Sequence, residues 1–375
     1  MARSARLPWL VTLSIASTQA ATGQTPRLHY PPPPPGQVSL TADIAVDSGL
    51  AIDVYRPRGA TAAPALVIFA QGDGAHRRFH FFAGWGEIAA AHGVVGVVPG
   101  LRFGRSPQDF AAVLSHLRAH AREYGIDPEA IAVYAASGNV ATALPLLQES
   151  THRGVAAAVI YYGAAEVGEF RRDLPVLFVR AGLDRPPLNR DITALIAKAT
   201  DQNAPISVIN YSAGHHGFEG VDDVPTTREV IDQTMAFVKQ WTSSAARADL
   251  RAGFTEATAA GYLLTGRESE ASRLYGEMVA RRPDDARLGL AYGEALLASG
   301  QFAAACTHFE RLRGASLGPR DRGLPAAKAC LQAGHPALAI GWLNSIPQRY
   351  RPASIKTDPA FASLQGHPDF EALFR

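Results

Sequence analysis

The chain has little cysteine, no block of basic residues and no apolar run long enough to cross a bilayer. Its 375 residues include two cysteines, and 36 Lys and Arg nearly balance 34 Asp and Glu. Because no basic cluster supplies a phosphate-binding face, the composition argues against nucleic acid and anionic lipid as partners. An apolar fraction of 47% with 19% charged residues is typical of a folded protein. The length predicts two domains.

The N-terminus has the layout of a secretory signal peptide, predicted over residues 1–20. A basic start, "MARSAR", precedes the short apolar run "LPWLVTLSIA" and the small-residue site "STQA". The run is too short to span a membrane, and no cysteine near the cleavage site could carry a lipid anchor. Cleavage removes two arginines and no acid, which leaves 34 basic against 34 acidic residues. We therefore predict a periplasmic or secreted protein; the alternative is a buried N-terminal helix.

Cys306 and Cys330 lie in Ala- and Leu-rich helical sequence. Two interpretations stay open, a single disulfide bridge in an exported protein or two small buried apolar residues. Neither is a catalytic candidate, because no histidine pattern accompanies them in that half of the chain.

The next 16 residues, 21–36, end in "YPPPPPG" and predict a stiff, extended linker. From residue 37 to 244 the pattern is that of an α/β domain. "VSLTADIAV" and "LAIDVYRP" alternate as half-buried antiparallel strands do. Six short apolar runs follow, from "ALVIFA" to "PISVINYSAG", and predict parallel strands covered on both faces. Helices are predicted between most of them, over residues 107–124, 141–148, 188–200 and 226–241.

Residues 250–375 read as a separate, all-helical domain. Gly266, Gly300 and Gly334 recur at intervals of 34, with a small residue five positions after each and a large apolar one four beyond that. This spacing resembles the tetratricopeptide repeat, and "DPAFASLQGHPDFEALF" looks like the capping segment that often follows such repeats. The resemblance implies a concave surface that holds a peptide or protein partner.

Three residues of the first domain follow apolar strands in the order that serine hydrolysis in an α/β fold requires. Ser137 ends "IAVYAAS", Asp184 ends "VLFVRAGLD", and His216 lies in "VINYSAGHHGF". An alcohol raised at a tight turn, a histidine that accepts its proton and an acid that orients the histidine make a nucleophilic triad. Each residue alone is weak evidence, but their joint occurrence in the correct loops is strong.

The stretches "EYGIDPEAIAVYAASGN", "PVLFVRAGLD" and "GHHGF" resemble the dienelactone hydrolase and acyl-ester hydrolase group of the α/β-hydrolases, over the whole of 37–244. The resemblance implies an α/β-hydrolase fold with Ser137 as nucleophile, Asp184 as acid and His216 as base. His215 is the alternative base; the family's histidine directly precedes Gly-Phe, which favours His216.

The oxyanion donors implied by the resemblance are backbone N–H groups, of Gly138 after the nucleophile and of Gly72 or Asp73 in the loop after "ALVIFA". The sequence departs from the family at three places. Ala135 and Asn139 stand where G-x-S-x-G has its outer glycines, and Gln71 stands where the family often has histidine. Asparagine tolerates unusual backbone angles, which is one interpretation of Asn139.

We therefore predict an exported serine hydrolase that cleaves a small or exposed carboxylic ester and requires no metal or organic cofactor. The pairs His76 with His80 and His116 with His120 have no third ligand, so no metal site is predicted. Arg102 and Arg105 are read as solvated. A peptidase on the same fold stays open. The alternative from another class is an inactive hydrolase fold that acts as a scaffold through its helical repeats.

Overall fold

The computed structural model describes residues 28–152, 154–315 and 318–374. The predicted signal peptide and the first part of the predicted linker lie outside these ranges. The chain divides into two compact units, of which the first ends at Ala252 and the second begins at Gly253 and also includes residues 201–203. That boundary lies close to the change of sequence character at residue 244.

The described part of the first unit has ten strands: β1 (Val38–Asp47), β2 (Leu50–Pro57), β3 (Ala63–Ile68), β4 (Gln71–Gly72), β5 (Val95–Pro99), β6 (Leu101–Arg102), β7 (Ile126–Ala136), β8 (Val155–Tyr161), β9 (Val176–Ala181) and β10 (Ile206–Tyr211). Eight of them form the central sheet, in the order β1-β2-β5-β3-β7-β8-β9-β10. β2 pairs antiparallel with β1 and β5, and the other neighbours are parallel. β4 and β6 form a separate short parallel ladder.

Helices cover both faces of this sheet. They are α1 (His80–Ala91), α2 (Ser106–Ala119), α3 (Ala121–Tyr124), α4 (Val140–Gln148), α5 (Pro186–Asp201), α6 (Phe218–Val221) and α7 (Pro225–Thr242). Ile131 and Val133 of β7 pack with α2, α4 and α5, whereas Ala132 and Tyr134 of the same strand pack with α1 and α7. A strand buried on both faces needs apolar residues at every position, which explains the continuous apolar runs of β3, β5, β7, β8 and β9. The prediction that the run "PISVINYSAG" is covered on both faces is wrong, because β10 lies at the edge of the sheet and has exposed residues.

The predicted fold class is confirmed: a mostly parallel sheet flanked by helices is followed by an all-α region. The predicted helix over 107–124 is two helices, because His120 has non-helical backbone angles between α2 and α3. Strands β7, β8, β9 and β10 run in parallel, so their carboxyl ends meet at one edge of the sheet. In open α/β sheets this edge is where ligands bind.

The described part of the predicted linker, residues 28–36, contacts the first unit at Tyr30. Its hydroxyl donates a hydrogen bond to Asp232 (2.5 Å) and lies 2.8 Å from Nε2 of His92. The neighbouring His29 N–H donates to the carbonyl of Glu219 (2.6 Å). This part of the segment is therefore held against the unit by polar contacts that the proline run does not predict.

The C-terminal part of the chain is helical: α8 (Ser244–Leu264), α9 (Glu268–Arg281), α10 (Ala286–Ala298), α11 (Phe302–Arg311), α12 (Pro319–Gln332), α13 (Pro336–Ser345) and α14 (Pro368–Ala372). Gly266, Gly300 and Gly334 each end a helix with φ between +71° and +82°, a conformation that glycine adopts without steric cost. The small residues of the same register are fully buried; they are Ala271, Ala305 and Ala339. Assignment to the tetratricopeptide family stays a prediction.

Cys306 of α11 and Cys330 of α12 are joined by a disulfide bond, which decides between the two interpretations of these residues. Phe361 and Phe370 of the segment after α13 are buried in the same apolar cluster as both cysteines. Among the residues that the structure describes, no helix combines the length and the apolar character that crossing a membrane requires.

Candidate active site

Ser137 lies at the sharp turn between β7 and α4. It has a φ of +55°, in the left-handed region that L-residues other than glycine rarely adopt. Such a conformation costs on the order of 1–3 kcal/mol and persists where the surrounding structure imposes it. Space for the turn comes from Gly163 after β8, where a Cβ would lie 2.5 Å from the Ser137 carbonyl oxygen. This backbone is that of a nucleophile elbow.

The structure brings Ser137, His216 and Asp184 together in a continuous line of hydrogen bonds. Oγ of Ser137 lies 2.8 Å from Nε2 of His216, and Nδ1 of the same ring lies 2.5 Å from Oδ2 of Asp184. The Asp184 side chain is 1% exposed and the His216 side chain 29%. A carboxylate on Nδ1 leaves Nε2 free to accept the Ser137 proton, which is the geometry of general-base activation.

His215 faces away from this line. Its Nδ1 lies 2.8 Å from Oδ1 of Asp222, and its backbone N–H donates to Oδ2 of the same carboxylate (2.9 Å). Of the two adjacent histidines it is therefore His216 whose ring reaches Ser137.

Asn189, which the sequence pattern does not mark, binds the main chain of the loop that carries Asp184. Nδ2 of Asn189 in α5 donates to the carbonyls of Ala181 and Gly182 at the end of β9 (2.9 and 3.2 Å). It also lies 3.3 Å from the carbonyl of Asp184. Asn189 is a small amide within a helical pattern, and its spacing carried no signal of this contact.

The buried carboxyl group of Glu219 is linked to His216 through the side chain of Tyr162. The Tyr162 ring packs against the imidazole of His216, with ring centroids 4.7 Å apart. The hydroxyls of Tyr162 and Tyr134 both donate to Oε1 of Glu219, at 3.0 and 2.7 Å. Glu219 is fully buried, and burial raises the pKa of its carboxyl to about 7. The contacts join residues 57 and 85 positions apart, so no local pattern could have predicted them.

The predicted oxyanion donors lie on two loops beside Ser137. Gly138 is exposed at the elbow. Gly72 is in the β4–β6 ladder, and its carbonyl accepts from the N–H of Phe103 (3.1 Å). A residue in a parallel ladder directs its N–H and its carbonyl to the same neighbouring strand. The Gly72 N–H therefore points toward β6, and this arrangement favours Asp73 as the donor from this loop.

An aromatic cluster lies beside Gly72, with the ring of His76 next to the glycine. A Cβ on Gly72 would meet the His76 ring at 2.0 Å, so a side chain at this position would displace that ring. The His76 ring lies 4.7 Å from that of Phe79 and 6.4 Å from that of Phe103, centroid to centroid. Phe103 is 70% exposed. Exposed aromatic groups next to a predicted oxyanion loop offer apolar surface to a ligand.

The histidines and the arginine that the sequence offered as metal or substrate ligands contact other side chains of the protein. His76 pairs with Asp73 (3.1 Å), and the rings of His116 and His120 stack at 4.4 Å beside Tyr124. Arg102 is not merely solvated, because its guanidinium binds both oxygens of the buried Asp109. In the described part of the chain no group of three His, Cys, Asp or Glu could hold a metal ion.

Comparison with known proteins gives no match to a protein-family model and none to a curated protein. The chain is similar in structure to MGS-M1, an α/β-hydrolase enzyme from a Medee basin deep-sea metagenome library. The TM-score is 0.46 and the identity 16%, over 55% of this chain and 98% of that one. It is also similar to the esterase Est22 with p-nitrophenol (TM-score 0.45, 13% identity, 54% of this chain and 80% of that one). A thermostable esterase from Pseudomonas putida ECU1011 gives a TM-score of 0.45 at 13% identity, over 55% of this chain and 83% of that one.

Proposed function

We propose that the protein is an exported serine hydrolase that cleaves carboxylic esters through an acyl-enzyme. The observation that carries the proposal is the hydrogen-bonded line from Ser137 through His216 to Asp184, on a serine with φ of +55°. A strained backbone and a buried carboxylate are unusual features for a serine that only ends a strand. The hydrogen bonds that join the strained Ser137 to the buried Asp184 through His216 support a nucleophile.

The proposed reaction proceeds in two halves. Oγ of Ser137 attacks the ester carbonyl while its proton moves to Nε2 of His216. The N–H groups of Gly138 and Asp73 stabilise the oxyanion that forms. As the bond between the carbonyl carbon and the leaving oxygen breaks, His216 gives its proton to the departing alcohol. Water then attacks the acyl-enzyme, its proton passes through His216 to Ser137, and the carboxylic acid is released. Asp184 holds the imidazole and stabilises its charged form throughout.

The substrate class follows from the surroundings of the elbow. The exposed Phe103 and Phe79 rings on either side of the His76 contact favour an ester with an apolar group on the acyl or the alcohol side. The serine, acid and histidine loops support placement near the dienelactone hydrolases and acyl-ester hydrolases. The signal-peptide layout and the Cys306–Cys330 disulfide both fit an oxidising compartment. The helical repeats are proposed to hold a peptide or protein partner.

The test is labelling of the purified protein with a fluorophosphonate probe, alongside turnover of short-chain p-nitrophenyl esters. Ser137→Ala is compared with Ser207→Ala, an exposed serine on β10. We expect the first variant to lose labelling and at least about a thousandfold in kcat, and the second to match the wild type. A folded wild-type protein that neither labels nor turns over any ester would overturn the proposal and favour the inactive scaffold.

A further inference from the structure

The two unusual residues of the site, Asn139 and Gln71, contact each other. The backbone N–H of Gln71 donates to Oδ1 of Asn139 at 2.9 Å, across 68 positions of sequence. Asn139 stands where the elbow motif has glycine, and Gln71 stands where the family often has histidine. The side chain of one departure therefore binds the main chain of the other.

Unusual backbone geometry does not explain Asn139. Its φ of −65° and ψ of −26° are helical, and its side chain makes no capping bond to α4. The left-handed conformation of this turn falls on Ser137 instead. Tolerance of rare angles, the interpretation that the sequence suggests for Asn139, is thus wrong. The Asn139 side chain instead accepts the hydrogen bond from the backbone N–H of Gln71.

Gln71 is held at a second point through its own side chain. Oε1 accepts a hydrogen bond from Oγ of Ser106, at 2.8 Å. Ser106 is the first residue of α2 and is 1% exposed, so this anchor is part of the packed unit. The main chain of Gln71 is tied to the elbow and its side chain to α2.

We infer that Asn139 is a positioning residue for the oxyanion hole. The inference rests on the proposed function. The Asn139 side chain connects the elbow, which carries Ser137 and Gly138, to the strand end that carries Asp73 two residues after Gln71. It therefore sets the separation between the two proposed N–H donors. Donor geometry matters most when charge develops on the carbonyl oxygen, so the contact serves the transition state more than the bound ester.

The test replaces Asn139 in two ways. Asn139→Gly restores the glycine of the motif, and Asn139→Ala removes the same acceptor without adding backbone freedom. The control is Asn210→Ala on the exposed edge strand β10. It removes an asparagine side chain that accepts a hydrogen bond from Arg180 of β9. Removing an oxyanion donor outright typically costs 10²–10³ in kcat, so we expect both Asn139 variants to lose about tenfold or more. KM should stay within about twofold, and Asn210→Ala should behave as the wild type.

Two further readouts separate positioning from a structural role. The affinity for a boronic acid that forms a tetrahedral adduct with serine should fall in parallel with kcat. Hydrogen exchange of the Gln71 amide should accelerate in both Asn139 variants, which reports the lost bond even where a variant is less stable.

The outcomes also separate this inference from the proposed function. If the wild type hydrolyses esters and Asn139→Gly is as active or more active, the inference is overturned and the hydrolase proposal stands. If KM rises while kcat and boronate affinity are unchanged, the residue contributes to substrate binding and the inference is likewise overturned. If the wild type is inert toward the probe and the esters, both fail.

Discussion

The carboxylates of Asp184 and Asp222 each bind one of two adjacent histidines. Asp184 binds His216, which also contacts Ser137, whereas Asp222 binds His215. Oδ2 of Asp184 lies 2.5 Å from Nδ1 of His216, and Oδ1 of Asp222 lies 2.8 Å from Nδ1 of His215. Both pairs join a carboxylate oxygen to Nδ1 of a histidine, but only the Asp184–His216 pair lies next to Ser137. This near-duplication makes each pair the natural control for the other.

Asp184→Asn should lower kcat by about 10³–10⁴ at neutral pH, because an amide no longer selects the tautomer that leaves Nε2 free to accept a proton. The measurement is p-nitrophenyl ester turnover of the purified variant. Asp222→Asn is the matched control, and we expect its kcat within about twofold of the wild type. Equal losses in the two variants would contradict the assignment of Asp184.

His216→Gln should remove the general base and lower kcat by about 10²–10⁴. His215→Gln should leave turnover nearly unchanged, because the ring bonds to Asp222 and not to Ser137. The rate of fluorophosphonate labelling checks the same assignment without a substrate. Slow labelling of His215→Gln together with normal labelling of His216→Gln would make His215 the base.

Local patterns predict most of the fold and the three central side chains of the site. Ser137 and Asp184 follow β7 and β9, which are buried on both faces and recognisable from uninterrupted apolar runs. His216 follows β10, an exposed edge strand whose apolar run still marks it as a strand. The contacts between loops have no such pattern. Gln71 meets Asn139 over 68 positions and Tyr162 meets Glu219 over 57, and these pairings depend on the packed sheet. The departure from the motif at Asn139 is visible in the sequence, but the partner of its side chain is visible only in the structure.

Loss of the Cys306–Cys330 bridge should destabilise the C-terminal unit. The bond joins residues 24 apart, and closing a loop of this size contributes about 3 kcal/mol, chiefly by restricting the unfolded chain. Scanning calorimetry with and without a reductant measures the effect. The control is Cys306→Ala combined with Cys330→Ala, whose melting should not respond to the reductant. A wild-type transition that is unchanged by reduction would contradict this prediction.

The buried Glu219 should make the stability of the first unit decrease as the pH rises. Its carboxyl has a pKa near 7 in the folded protein against 4.5 in the unfolded chain, because burial disfavours the charged form. The folded state therefore binds the proton more tightly. The associated stability is fully present below about pH 4.5 and is lost as the pH rises through 7.

At about 1.4 kcal/mol for each pH unit, the loss amounts to about 3 kcal/mol. Glu219→Gln should remove this dependence, because a neutral amide oxygen still accepts from Tyr134 and Tyr162 at every pH. We expect the variant to resemble the wild type at pH 4.5 and to melt several degrees higher at pH 8. Glu166→Gln, at an exposed position, is the control and should follow the wild-type profile. If wild type and Glu219→Gln differ by the same amount at both pH values, the folded carboxyl binds its proton no more tightly than the unfolded one, and the prediction is wrong.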